Sequence, residues 1–422
     1  MDNLKDKIVT IVDNGASVEL AILFVPFFKK VNYFCEWRFI GLPDTRLLFI
    51  GQNIPGVTRI DNTDDYEDET DLFVFTDVFY GAMQERLRKK GKLVYGSGLG
   101  EQMETQRIKM KELLTALGLP VAPYVVKKGI DKLSPYLEDK TDKWIKVEQL
   151  RGAAESWHFE SFEINEPELH SLADDIIMKV LLNQVVEDPL DEEGMVEIGC
   201  DPYTARGKFP KKILCGLELK DCAYLSRMVD YNKAPKDITS VNDALSETFA
   251  GFNYLGGFST EIRVGEKHTP HLTDFTARNG FPPSFTQMYA WKNLAMIYYK
   301  IASGEMIEPE FEDEYYCELI MKSEWVKEKP LAVYIPDKYR KNVKLKYMVM
   351  INGIPYILPQ FIPVEEFGSI VTSGRSPEDA AEKAKAIAKE IKAIDIKFPI
   401  DKIDKGFGEI KKLDKLGINF FA

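Results

Sequence analysis

Short apolar runs bounded by turn residues alternate with stretches of helical periodicity through the first hundred residues. Residues 7–12, 46–50, 71–75 and 92–95 read as strands; helices are expected from 18 to about 30 and over 84–90. Strands alternating with helices predict an open, mostly parallel sheet. Ligands in such sheets bind beyond the carboxyl ends of strands, where Asp13, Asp77 and Gly96 fall. A helix over 101–117 carries Ile108, Leu113, Leu114 and Leu117 as an apolar stripe and ends at Gly118 and Pro120. Arg107 and Lys111 lie four apart on one face of it. Residues 121–126, 143–147, 183–187, 195–201 and 212–217 read as strands, and 166–182 as an amphipathic helix. The apolar and aromatic residues of 286–302 predict a helix that fills the core. Strands return at 331–335, 346–351 and 369–372, followed by an alanine- and lysine-rich helix over 377–391.

Residues 258–280 carry the most chemistry. Period-two alternation turns Thr260, Ile262 and Val264 one way and Glu261 and Arg263 the other. Residues 265–270 supply a polar turn. On the return strand Asp274, Thr276 and Arg278 share a face, while Phe275 and Ala277 point into packing. Closing the hairpin about 266–269 sets Glu261 opposite Asp274. Two carboxylates about 5 Å apart repel by roughly 3 kcal/mol at an effective dielectric near 20. A cation or a shared proton relieves that, and oxygen ligands of this kind suit Mg²⁺. Upstream, the small residues of 148–156 allow backbone N–H groups to approach a phosphate, with Lys146 and Arg151 adding positive charge.

Composition narrows the classes. A length of 422 residues predicts two to four domains, and 45 % apolar content supports real cores. A net charge of −12 argues against nucleic acid as a partner while leaving room for small anions held by local cations. The five cysteines lack C-x-x-C spacing and read as reduced core thiols. The four histidines lack zinc spacing. With neither a membrane-length apolar run nor a signal peptide, a cytoplasmic protein with no membrane partner is expected. No G-x-G-x-x-G follows the first strand, which disfavours a nicotinamide site. The acidic run 61–71 reads as a solvated loop.

In this order the passages resemble an ATP-grasp ligase, and more narrowly phosphoribosylamine–glycine ligase, the glycinamide ribonucleotide synthetase of purine synthesis. Residues 105–120 resemble that family's helix ending in Gly-Ile-Pro, and Lys146 its lysine on a strand into the ATP site. Val185 to Leu190 resemble the hinge against which adenine lies. Asp274-Phe275-Thr276-Ala277-Arg278-Asn279-Gly280 resembles Glu-Phe-Asn-Ala-Arg-Phe-Gly, and 370–391 the C-terminal segment. Glu261 stands thirteen residues before Asp274, the separation these enzymes use for two magnesium ligands.

The resemblance implies an α/β and α+β chain with the ATP-grasp fold. An N-terminal Rossmann-like domain is expected at 1–100 and an ATP-grasp domain at 101–309 with a lid over about 122–190. A small C-terminal domain is expected at 310–422. It implies ATP and Mg²⁺ or Mn²⁺ as cofactors, a glycine-like carboxylate and an amine as substrates, and a monomer or homodimer. Arg107, Lys146, Arg151, Gly152, Ala153, Ser156, Val186, Glu187, Glu193 and Glu197 are its implied ATP contacts. Glu261, Asp274 and Thr276 are implied metal ligands, Lys220, Arg278 and Asn279 substrate contacts, and Arg278 the catalytic residue. The chain departs from the family at several points. Thr276 replaces Asn, Arg151-Gly152-Ala153-Ala154 replaces Gly-Lys-Gly, and Gly280-Phe281-Pro282-Pro283 replaces Gly-Asp-Pro-Glu. The substrate loop expected near 220–230 has no clear match. These changes favour an amine less cationic or more apolar than phosphoribosylamine. The alternative is an ATP-binding protein that keeps the fold without turnover.

Overall fold

The computed structural model describes residues 3–39, 42–44, 49–149, 156–173, 182–190, 195–311, 313–360 and 364–421. Five parallel strands open the chain: Ile8–Asp13, Lys30–Cys35, Val57–Arg59, Leu72–Phe75 and Leu93–Tyr95. Their spatial order is third, second, first, fourth, fifth, so the order in which strands are added reverses between Ile8–Asp13 and Leu72–Phe75. The helix expected to reach residue 30 spans only Val18–Phe24. Pro26 has no N–H to give the Ile22 carbonyl, and the chain turns into the strand Lys30–Cys35, which the sequence reading missed. Residues 46–48 of another expected strand lie outside the described residues, and Phe49 and Ile50 sit in a turn. The acidic run is not simply solvated. Glu67 is buried, and the Lys90 and Arg86 side chains hold its carboxyl below its ordinary range.

The helix expected over 101–117 breaks at Gln106 (φ −117°, ψ 74°) into Gln102–Thr105 and Arg107–Ala116. The Thr105 carbonyl accepts the Gln149 N–H at 2.9 Å instead of continuing the helix. The Ile108 N–H donates to Glu148 Oε1 at 3.2 Å. Both partners end a strand of the next unit, so the break is a junction. The buried stripe is Met103, Met110 and Leu114, whereas Leu117 is exposed.

That next unit is a four-stranded antiparallel sheet, ordered Ser156–Ser161, Thr141–Val147, Asn183–Glu187, Tyr124–Lys128. The helices Ile130–Leu137 and Phe162–Ala173 cover one face, and residues 174–181 of the expected longer helix lie outside the described residues. Ile130, Leu133, Leu137, Ile145, Phe159 and Val186 form a core of its own.

Beside a small two-stranded and a small three-stranded sheet, most of the remaining strands build one eight-stranded antiparallel sheet. Its order is His271–Thr276, Ser259–Val264, Val196–Cys200, Lys212–Leu219, Ala223–Asp230, Tyr315–Lys322, Glu366–Gly374, Val343–Leu345. Ala223–Asp230 is therefore a central strand where a substrate loop was expected. The sheet also runs across the boundary expected between 309 and 310. The helix Lys236–Gly251, unforeseen from sequence, buries Ile238, Val241, Leu245 and Phe249 at helical spacing. The expected helix 286–302 is two, Pro283–Ala290 and Leu294–Ala302, broken where the Lys292 N–H turns to the Glu310 carbonyl. Pro283 and Ser284 start the first of these, so they are not a free loop. Pro377–Ala388 begins with Pro377 after Ser376, whose Oγ accepts from the Asp379 N–H. One continuous core runs from Leu4 to Phe421 beneath both large units, and all five cysteines are buried.

The four-stranded unit, where the lid was expected, has a separate core that yields a test. Leu133→Ala should cost about 2–5 kcal/mol, and the damage should stay local. Amide exchange should quicken in Thr141–Val147 and Asn183–Glu187 and stay unchanged in Lys212–Leu219.

Candidate functional site

The hairpin pairs Ser259 with Thr276, Thr260 with Phe275 and Glu261 with Asp274, then shifts register before Ile262 and Leu272. The facing carboxylates deduced from alternation are therefore present. Thr260, Ile262, Val264, Phe275 and Ala277 are buried beneath and fix the strands. Burial, then Asp274, Glu218 and Glu197, push the Glu261 carboxyl well above its ordinary range. No hydrogen bond or ion pair from the described residues reaches that carboxylate. Asp274 accepts Arg107 Nη1 at 3.1 Å. Thr276 stands one pair further along, opposite Ser259.

Paired residues of an antiparallel sheet share a face, so the ladder extends this row. Gly199 lies beside Glu261, Gly216 beside Gly199, and Ser226 beside Gly216. A Cβ on Gly216 would stand 2.2 Å from the Tyr224 ring, so only glycine lets that ring lie across the sheet. Its hydroxyl donates to Asp201, as does Ser259 Oγ at 2.5 Å, while burial lifts Asp201 to about 6. Glu197, Asp201, Glu218, Glu261, Ser259 and Pro283 line a pocket with about 10 Å³ of free space, enough for one water-sized occupant. Burial, then Glu197 and Asp201, push Glu218 to about 8. Glu318, opposite Tyr224 on the next strand, is also lifted to about 8 by burial. Its Oε2 accepts the Thr286 N–H and hydroxyl at 3.0 and 2.9 Å, and its Oε1 has no partner among the described residues. Lys346 stands against the Phe281 ring and 3.7 Å from Glu366, and burial lowers it to about 8. Pro283 thus lines the same pocket as Glu197, Asp201, Glu218 and Glu261.

Above this floor, Trp144, Lys146, Ser156, Val185 and Glu187 share one face of the lid sheet. Val186 points the other way, into the lid core beside Ile145, so its side chain is not the expected cleft contact. Lys146 Nζ donates to the Thr273 carbonyl at 2.6 Å and lies 3.5 Å from Glu187. Lys111 Nζ lies 2.8 Å from the other Glu187 oxygen, and burial lowers its pKa. Arg107 and Lys111 are therefore not ordinary surface charges. Helix, lid and hairpin bring Arg107, Lys111, Lys146, Glu187, Glu261 and Asp274 together.

Other expected residues are placed differently. Glu197 pairs with Arg263 at 3.1 Å. Lys220 is exposed and lies over the Trp144 ring at 5.4 Å. Asn279 accepts the Tyr95 hydroxyl at 3.0 Å and donates to Gln287 at 2.8 Å, so its amide is engaged at both ends. Arg278 donates to Glu104 at 3.0 and 3.1 Å and lies 3.5 Å from Asp77. Asp13 holds the Gly15 and Ser17 N–H groups and the Tyr33 and Thr76 hydroxyls, a structural role at the strand end. Arg151, Gly152, Ala153 and Glu193 lie outside the described residues. Glu104, Asp201 and Glu218 escaped the sequence reading, because nothing local distinguishes them from surface acids. Among the described residues no three His, Cys, Asp or Glu side chains converge as a metal cage. The facing pair Glu261 and Asp274, one of them without a cation, fits a divalent ion that keeps other ligands of its own.

No family model matches this chain, and no curated protein matches it. Solved structures do. Phosphoribosylamine–glycine ligase from Thermotoga maritima aligns with a TM-score of 0.68 at 14 % identity, covering 93 % of this chain and 98 % of that one. The biotin carboxylase domain dimer of Hydrogenobacter thermophilus 2-oxoglutarate carboxylase, in complex with MgADP, ADP and bicarbonate, gives 0.64 at 12 %, covering 98 % and 99 %. N5-carboxyaminoimidazole ribonucleotide synthetase from Thermotoga maritima gives 0.59 at 12 %, covering 92 % and 99 %. These are ATP-grasp enzymes, and the chain has the ATP-grasp fold.

The buried carboxyl of Glu318 predicts a pH effect. The folded chain keeps this proton to about pH 8, whereas the ordinary value is 4.5. The stability it contributes is therefore present at acid pH and lost as pH rises from 4.5 toward 8. Glu318→Gln should lose less stability than the unaltered chain between pH 5 and 8. The difference should be a few kcal/mol, at about 1.4 kcal/mol per pKa unit, read by urea unfolding at both pH values.

Proposed function

We propose that the chain is an ATP-dependent carboxylate–amine ligase that forms ADP and phosphate through an acyl phosphate. The observation that carries this reading is the facing pair Glu261 and Asp274 beneath Arg107, Lys111 and Lys146. Carboxylates below and cations above suit a metal-bound polyphosphate lying between them. Lys146 and Arg107 would hold the phosphates, with the Arg151, Gly152, Ala153 and Ser156 segment closing over them. Glu187 would meet the adenine edge at the strand Asn183–Glu187, and Glu193 or Glu197 the ribose hydroxyls. Glu261 and Asp274, with Thr276 beside them, would hold Mg²⁺ or Mn²⁺, which would offset the negative charge of the phosphates. Arg278 would hold the substrate carboxylate through the fork that Glu104 now fills. Lys220, which lies over the Trp144 ring, would contact the substrate at the cleft margin. A closed lid would exclude the water that destroys an acyl phosphate.

Fold likeness at 11–14 % identity supports the ligase class more than any substrate. A glycine-like acid joined to an amine, with phosphoribosylamine and hence purine synthesis as the specific case, is the reading to test. No described helix is long and apolar enough to cross a membrane. We propose a cytoplasmic monomer or homodimer with an N-terminal domain at 1–100, a lid within 101–309 and a C-terminal segment that completes the large sheet. A second reading is an ATP-binding protein without turnover. The Arg107 contact with Asp274 and the Thr276 replacement favour it.

The deciding experiment is an ADP-release assay with glycine and phosphoribosylamine beside a panel of amino acids and amines. ATP binding without ADP release from any pair would support the second reading. Asp274→Asn should abolish turnover with the fold intact by circular dichroism; unchanged magnesium-dependent turnover would remove the metal assignment. Lys146→Ala should weaken ATP binding by roughly tenfold, the scale of one lost charged hydrogen bond. An unchanged calorimetric dissociation constant would return Lys146 to a structural role.

A further inference from the structure

Arg107 opens the helix Arg107–Ala116 just past the break at Gln106. Its side chain is 9 % exposed, and Nη1 lies 3.1 Å from Oδ1 of Asp274, itself 27 % exposed. Across the ladder Glu261 has no such partner among the described residues. The hairpin therefore presents one carboxylate with a guanidinium partner and one with no ion pair among the described residues. A divalent cation needs both, and a guanidinium and a metal repel when they share one carboxylate. Lys111 and Lys146 are already engaged by Glu187, at 2.8 and 3.5 Å.

We propose that Arg107 is an internal counter-ion that competes with the divalent cation for Asp274, so that arrival of the metal releases its guanidinium to the nucleotide phosphates. The inference rests on the reading of the hairpin as the metal site. With Asp274 given to the metal, the guanidinium can turn toward the phosphates. Its planar fork matches phosphate geometry. Metal and nucleotide then reinforce each other's binding through one side chain, and that coupling is reciprocal. Arg107 is a positioning residue in this scheme, because it sets which charge Asp274 sees before substrate arrives.

Mn²⁺ titrated into the nucleotide-free full chain, with the free ion read by electron paramagnetic resonance, tests this directly. Arg107→Met and Arg107→Gln should each bind Mn²⁺ about fivefold or more tighter than the unaltered chain, the low end of typical coupling. Arg107→Lys, which keeps the charge, should restore weaker binding. Asp274→Asn should lose affinity, and the double variant Arg107→Met, Asp274→Asn should match Asp274→Asn alone. A merely structural arginine would move affinity the other way, since its loss would loosen the hairpin. Equal or weaker binding by both neutral Arg107 variants, with Asp274→Asn still impaired, overturns the inference and leaves the metal reading standing. Asp274→Asn binding Mn²⁺ like the unaltered chain overturns both.

Discussion

Mutual repulsion among carboxylates on one face of the large sheet is the constraint the rest of the site answers to. Glu197, Asp201, Glu218 and Glu261 line one small pocket, and Asp274 stands beside it. The sheet's hydrogen-bonded ladder does not let them spread apart. The chain relieves the strain in three ways. Arg263 and Arg107 neutralise Glu197 and Asp274. Ser259 and Tyr224 donate to Asp201. Glu218 and Glu318, lifted to about 8, stay protonated near neutral pH. Glu261 is likewise pushed well above its ordinary range, but no hydrogen bond or ion pair from the described residues reaches it, and the hairpin is the place we propose for an external cation.

The lid answers the same constraint from above. Its sheet has a core of its own, and its cleft face carries Lys146 beside Glu187. Two bonds at the Gln106 break, from the Gln149 N–H to the Thr105 carbonyl and from the Ile108 N–H to the Glu148 carboxylate, tie the lid to the helix that bears Arg107 and Lys111. Cations of the lid and of that helix are thus positioned by one junction.

Much of this was legible in the sequence where the signal is local. Period-two alternation and a polar turn sufficed to pair Glu261 with Asp274, because the hairpin closes within a few residues. The strand Asn183–Glu187 lies where the sequence reading placed it, ending at Glu187-Asp188-Pro189. The helix Lys236–Gly251 was not foreseen, although Ile238, Val241, Leu245 and Phe249 carry the helical spacing. The break at Gln106 was not legible, since its cause, Gln149, lies far along the chain. Arg278 with Glu104 and Asn279 with Tyr95 are likewise long-range pairings that no spacing rule reveals.

The large sheet is continuous through the last quarter of the chain, and this bears on how such a protein can be cut or recombined. Tyr315–Lys322 supplies hydrogen bonds to one side of Ala223–Asp230, and Glu366–Gly374 covers Tyr315–Lys322 in turn. A truncation before residue 315 would strip a central strand of its neighbour and bare a long edge, the geometry that promotes strand addition between molecules. The lid, with a core and a sheet of its own, is the portable module of this architecture; the C-terminal segment is not.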